Sequence, residues 1–321
     1  MVHLQDYNDP PPSRKLWVVL PIVILLVAFA GWRMLRARSS SSETRVPVVS
    51  LPLTPTNAIL TPAVASVPSS TSTPSRVSAV IPAAELAEAA ALEKAGSPVE
   101  AREKYLQILE RRPGVPGLDA VEEKIGTLGV ELLMTPHPMP EKTDYVVAAG
   151  DTLDKIARKF NSTKELMITN NLIARPSLIK RGDHFRVFSG TFQVRVNKTR
   201  SDLVVTLNSR FFKRYRIGTG KFGKTPVGSF VICERITQPV WWKPDGKAVP
   251  YGQPDNILGT HWLALKPTGS TPAVSGYGLH GTWDESSIGK AESAGCVRLR
   301  NADVGQLYVM LPIGTEVTIE E

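Results

Sequence analysis

Cys296 sits in the run Ser293-Ala294-Gly295-Cys296-Val297-Arg298-Leu299, sixteen positions after His280 of His280-Gly281-Thr282. A thiol becomes a carbonyl nucleophile when an imidazole takes its proton, since thiolate rather than thiol attacks and a free cysteine has a pKa of about 8.5. Gly295 lets backbone come close to a substrate, so adjacent N–H groups can face a developing oxyanion. Gly295 and Ser293 are therefore assigned to the oxyanion and loop part of the site. Arg298 carries a planar donor fork that binds carboxylates in a bidentate way, which makes it a substrate- or loop-positioning candidate. His184 and His261 have no ligand-spaced partners, so neither a metal nor a cofactor is expected.

These residues resemble the active-site motif of the L,D-transpeptidases, the YkuD family of peptidoglycan cross-linking enzymes, in which His-Gly precedes Ser-His-Gly-Cys-(Ile/Val)-Arg. Ala294 stands where that family has a second histidine. Gly218-Thr219-Gly220, Thr225-Pro226-Val227-Gly228, Pro239-Val240-Trp241-Trp242, Asn256-Ile257-Leu258-Gly259-Thr260 and Gly314-Thr315-Glu316-Val317 follow the family's order, so the resemblance covers roughly Thr191 to Glu320. It implies that Cys296 attacks the L,D-bond of a tetrapeptide stem, expels the terminal D-alanine and passes the acyl group to an amine acceptor in the cell wall. It further implies that His280 is the base, its ring oriented by a backbone carbonyl or a short polar group. Arg298, Trp242, Gly281 and Thr282 are the expected substrate-binding residues. Adjacent strand residues point to opposite faces, so only one of Trp241 and Trp242 is expected to line the site. Two other readings stay open: an L,D-carboxypeptidase with water as acceptor, and a catalytically degenerate peptidoglycan-binding or scaffolding protein, which Ala294 favours. Papain-like peptidases place cysteine before histidine, and sortases separate the pair by far more than sixteen residues.

The elements that must position these groups are strands. From residue 191 to 321 apolar residues alternate, as in Phe192-Val194-Val196, Leu203-Val205-Leu207 and Phe230-Ile232, with a helical stretch only at Ala302 to Met310. A mostly β catalytic domain is expected, sandwich-like as the resemblance implies, with Cys233 in its core. Residues 144–188 read as strand, two helices and strand. Gly150-Asp151-Thr152-Leu153 starts the first helix, and Phe185-Arg186-Val187 closes the unit. This resembles a LysM domain, a small βααβ module that binds N-acetylglucosamine-containing glycans, and the resemblance points to Gly150, Asp151, Thr152 and Ile179 as sugar-facing. Residues 83–135 carry helical periodicity broken at Gly96-Ser97-Pro98 and Pro113-Gly114, and look like one tetratricopeptide-type hairpin with a further helix. One repeat is short of a solenoid, so this segment is either a packing element or a site for a protein partner.

Residues 1–38 contain an uncharged apolar run, Leu16 to Trp32, flanked by Arg14-Lys15 and Arg33, which reads as a transmembrane anchor or an export signal. Residues 39–82, rich in Pro, Ser and Thr, read as an extended linker. The expected protein is a multidomain one of the cell envelope, membrane-anchored, with its catalytic domain in the periplasm or otherwise outside the cytoplasmic membrane. The net charge of +8 suits an anionic envelope or simply solubility, and its scattered basic residues argue against nucleic acid. With only two cysteines a disulfide scaffold is excluded, and a bond between Cys233 and Cys296 would silence the chemistry.

Overall fold

The computed structural model describes residues 80–321. The expected anchor and nearly all of the expected linker lie outside the described residues. Among the described residues no helix is long and apolar enough to cross a membrane.

Three helices come first: α1 (Ala83–Lys94), α2 (Pro98–Arg111) and α3 (Leu118–Met134). Alanines and leucines favour α1, Pro98 occupies the first turn of α2 where its missing N–H costs nothing, and Gly117 takes φ 90° just before α3. Their inner faces bury Ala101, Tyr105, Leu106, Val121, Ile125 and Leu128 in one cluster, with Phe211 of the following domain packed against it. The helical segment is thus attached to the rest of the chain through that face.

Next come β1 (Lys142–Val146), α4 (Leu153–Lys159), α5 (Lys164–Asn170) and β2 (His184–Phe188), with β1 and β2 antiparallel. Thr152 and Thr163 cap the two helices by accepting from the N–H groups of Lys155 and Leu166. Val147, Leu153, Ile156, Met167 and Val187 form a small core of their own. Leu166 and Phe188 turn the other way and are buried in the main core beside Leu132 and Leu133. Thr163 Oγ1 donates to the Val309 carbonyl and Arg235 Nη2 donates to Glu165 at 3.0 Å, so this module is fastened to its neighbour by polar and apolar contacts together.

The C-terminal part contains β3 (Phe192–Asn197), β4 (Asp202–Leu207), β5 (Arg210–Arg216), β6 (Thr219–Gly220), β7 (Gly228–Thr237), β8 (Trp241–Trp242), β9 (Ala248–Val249), β10 (His261–Pro267), β11 (Gly278–His280), β12 (Ala291–Ser293), β13 (Val297–Arg298), α6 (Asn301–Met310) and β14 (Glu316–Glu320). Eight strands make one mixed sheet in the order β13-β11-β10-β7-β14-β3-β4-β5. Just past β5, Gly218 exchanges backbone hydrogen bonds of 2.9 and 2.8 Å with Arg298 of β13, at the opposite end of that order. The sheet therefore curls nearly shut on itself, where a sandwich-like pair of sheets was expected. Its interior holds Val194, Val205, Phe212, Phe230, Leu263 and Val297.

α3 covers the edge strand β5, which would otherwise present unpaired backbone groups. Gly126 and Gly129 make the approach close: a Cβ at either would lie 3.0 Å from Lys213 Cγ or Phe212 Cε2. Arg214 grips Glu122 of α3 through Nε and Nη2 at 2.6 and 2.8 Å, and Arg210 pairs with Glu103 and Glu110 of α2. This geometry supports the packing role for residues 83–135.

Cys233 departs from its expected place in the core. The β7–β10 register runs Arg235 to Leu263, Glu234 to Ala264 and then Ile232 to Leu265, leaving Cys233 without a partner in a β-bulge. Phe230 and Ile232 stay buried while Cys233 is exposed.

Candidate active site

Residues paired across a sheet share a face, and Ile236, Trp262, His280 and Arg298 form one such row across β7, β10, β11 and β13. All four line a single open cleft of roughly 1090 Å³, which Cys296 also lines, two residues before Arg298 and so on the same side. The sheet brings the cysteine, the histidine and the arginine onto one floor although their side chains come from two strands and a loop.

His280 is buried, with its ring stacked on Trp262 at 5.7 Å between centroids. Nδ1 donates to the Gly281 carbonyl at 2.6 Å, which leaves Nε2 as the basic nitrogen. Burial drives its pKa down to about 4, helped by the Arg298 charge and opposed by the Gly281 and Leu258 backbone. The ring is neutral at physiological pH. Burial also pushes the Cys296 thiol up, opposed by a backbone hydrogen bond from Gly278. Cys296 Sγ donates to the Gly276 carbonyl at 3.5 Å. The resting pair is therefore thiol and imidazole, not thiolate and imidazolium.

Around Cys296, Ser293 Oγ donates to the Cys296 carbonyl at 2.7 Å and accepts from the Gly295 N–H at 3.1 Å. That N–H is thus used inside the loop, and Gly295 serves the site through its shape. Its φ is 145°, and a Cβ there would lie 2.6 Å from the Tyr277 ring. Arg298 Nε and Nη2 are covered by protein atoms and have no hydrogen-bond partners, while the side chain as a whole is half-buried and reaches the cleft. Its positive charge can meet an anion at the cleft surface.

Gly281 and Thr282 are held by Asn301, the first residue of α6. Asn301 Nδ2 donates to the Thr282 carbonyl at 2.9 Å, and its Oδ1 accepts from Thr260 N at 3.0 Å. A Cβ on Gly281 would stand 2.1 Å from that Oδ1. Thr282 Oγ1 accepts from Asp284 N, so its hydroxyl shapes the turn. Sequence reading missed Asn301 and Trp262; each contacts the histidine turn only through the fold, and β10's alternation was the sole available clue. Trp241 and Trp242 both line the cleft, against the expectation of one. Their strand pairs only with β9 in a two-stranded ribbon outside the main sheet, so the cleft meets both sides of it. Buried Asn256 anchors that ribbon by donating to the carbonyls of Pro239 and Val249, each at 2.9 Å.

Elsewhere, the four residues expected to face sugar occupy two loops of the small module. Asp151 accepts from Tyr145 Oη at 2.7 Å and from Ala148 N at 2.8 Å, Thr152 caps α4, Gly150 has φ 79°, and Ile179 packs partly buried on the module's core. Asp151 and Thr152 thus have structural work in the loop. His184 is exposed on β2, and His261 Nδ1 lies 2.9 Å from Thr260 Oγ1. Among the described residues no cluster suited to a metal occurs.

Residues 191–319 match the YkuD family of L,D-transpeptidase catalytic domains, and residues 145–187 match the LysM domain. The Bacillus subtilis protein YkuD, named as an L,D-transpeptidase, is 35% identical over 184 residues, which are 54% of this chain and 97% of that protein. The chain belongs to the L,D-transpeptidase family. Bacillus subtilis YqjB, likewise named as an L,D-transpeptidase, is 36% identical over 127 residues, 39% of this chain and 69% of that protein. Escherichia coli YbiS, also so named, is 34% identical over 116 residues, 32% of this chain and 35% of its own. In this chain the LysM domain precedes the catalytic domain and is packed against it.

Proposed function

We propose that the protein is a peptidoglycan L,D-transpeptidase in which Cys296 is the nucleophile and His280 the general base. The observation that carries this reading is that Cys296, His280 and Arg298 all line one cleft, with His280 and Arg298 paired side by side on its floor. Substrate binding seats a stem carboxylate on Arg298, and Nε2 of His280 takes the Cys296 proton as sulfur attacks the carbonyl of the L,D-bond. The tetrahedral oxyanion collapses, the C–N bond breaks, and the proton held by His280 goes to the departing D-alanine amine. An amine acceptor then attacks the thioester, the C–S bond breaks, and the thiol is restored. Because the resting pair is neutral, proton transfer accompanies attack instead of preceding it.

The cleft walls, Trp242 among them, hold the peptide, and the LysM loops at Gly150 and Ile179 hold glycan. Both functions place the working protein in the cell envelope. The test is to compare muropeptides from cells carrying the wild-type gene with those from cells carrying Cys296→Ser. Loss of the L,D-cross-linked species in the variant supports the reading, and an unchanged profile overturns it. Ala294 favours a second reading, a degenerate wall-binding protein. Exposing the purified protein to a carbapenem and weighing it intact separates the two, since an adduct on Cys296 requires a working nucleophile.

A further inference from the structure

Two opposite charges without partners line a second recess, of about 190 Å³, which shares no residue with the catalytic cleft. It lies between α2, the end of α3, the segment leading into β1 and the start of β5. Its volume suits a few water molecules or one small organic molecule.

Arg102 of α2 is more than nine-tenths buried in the wall of this recess. Gly129 of α3 makes room for the side chain, since a Cβ there would lie 3.2 Å from Arg102 Nε. That nitrogen is covered and unpartnered. The two terminal nitrogens make no hydrogen bond to the described residues and are not sealed by them, so the open end of the guanidinium belongs to the recess. The Phe212 ring, with its centroid 5.5 Å from Arg102 Cζ, offers a cation–π contact in place of acceptors.

Glu141, just before β1, supplies the negative end. Its Oε2 is covered and unpartnered, and its charge supports the Arg102 cation against burial, yet the two side chains form no ion pair. Neighbouring groups are already taken. Lys142 gives its ammonium to the carbonyls of Leu132 and Thr135, each at 2.6 Å, and Glu103 accepts from Arg210 Nη1 and Nη2 at 2.8 and 3.1 Å. The half-open Glu103–Arg210 pair stands at the mouth. Buried charges that do not reach each other are costly, and a molecule carrying both an anionic and a cationic end relieves both. Val99, Leu132 and Met139 add apolar wall for a short hydrocarbon body.

We infer that this recess binds a small zwitterionic α-amino acid, with its carboxylate on Arg102 and its ammonium on Glu141. The bound molecule joins α2 to the segment that enters the LysM domain. A simple carboxylate leaves Glu141 unmet, and a simple amine leaves Arg102 unmet.

The experiment uses the full chain, with D-alanine and L-alanine as probes, each followed by isothermal titration calorimetry. At least one enantiomer is expected to bind saturably, one per chain. Propionate, which lacks the ammonium, and alaninamide, which lacks the carboxylate, should each bind about tenfold more weakly, the loss of one charge-assisted contact. Arg102→Met and Glu141→Gln should each weaken alanine by at least that factor. Glu141→Gln keeps the shape of the side chain, so it decides the matter if Arg102→Met fails to fold. Alanine affinity unchanged in Glu141→Gln would put the molecule elsewhere, the catalytic cleft included, and overturn the inference. Absence of saturable binding by both enantiomers would show a recess that holds water alone and would overturn it as well.

Discussion

Replacing His280 by asparagine should flatten the acid side of the protein's stability profile. In the unfolded chain the imidazole takes a proton at its ordinary pKa of 6.5, whereas burial holds the folded ring neutral to about 4. Between those values the unfolded state binds more protons, so folding is favoured less as pH falls. The stabilising contribution is complete above about pH 6.5 and is lost progressively on the way down to about pH 4. A gap of that size is worth about 3 kcal/mol, most of it lost by pH 4. Glu85, Glu103, Asp151, Asp255 and Asp284 also have lowered pKa values and weaken the fold in acid, but they are common to both proteins and cancel in the comparison. Urea unfolding followed by tryptophan fluorescence at pH 7 and pH 4 gives the required numbers. Wild type should lose about 3 kcal/mol more than His280→Asn over that interval. Equal losses, or an NMR titration of the His280 ring near 6.5, would refute the claim that the ring is buried and neutral.

The same neutral pair predicts a flat kcat/KM for donor acylation from about pH 5 to pH 8, since neither group titrates there; a bell with an acid limb near pH 6.5 would mean that His280 is solvated in the working enzyme. Iodoacetamide at neutral pH should label exposed Cys233 before Cys296, whose thiol is pushed up by burial, and intact mass after Cys233→Ser should show only the slow phase. Leu166→Ala should cost about 2–5 kcal/mol and lower turnover of small soluble peptides along with wall binding, because this LysM-domain side chain is packed in the catalytic core. Unchanged melting with weakened wall binding alone would show that the LysM domain is a detachable tether.

Local chemistry was legible wherever it depends on neighbours in the chain. The thiol, the imidazole and the arginine fork declare their reactivity by type, and the alternation at Phe192, Val194 and Val196 does describe buried strand positions. The helix start at Thr152 follows from short-range hydrogen bonding to the backbone three residues on. What escaped the sequence is set by a partner far along the chain. Cys233 lies in an alternating apolar run, and only the register with β10 reveals the bulge that exposes it. The amphipathic pattern of α5 marks Leu166 as buried without saying which core it enters. Trp241 and Trp242 obey the opposite-face rule of strands, yet a two-residue ribbon standing apart from the sheet has a cleft on both sides. Closure of the sheet depends on Gly218 meeting Arg298, residues whose types carry no sign of each other.

That closure bears on the chemistry. Arg298 is pinned by its backbone to Gly218 on one side and by the pairing with His280 on the other, so its guanidinium projects from a fixed backbone. A fixed backbone lowers the ordering cost of meeting an anion with that side chain. Cys296 is two residues away on the same chain segment, so the curled sheet, more than the motif itself, ties the position of its sulfur to those of the Arg298 and His280 side chains.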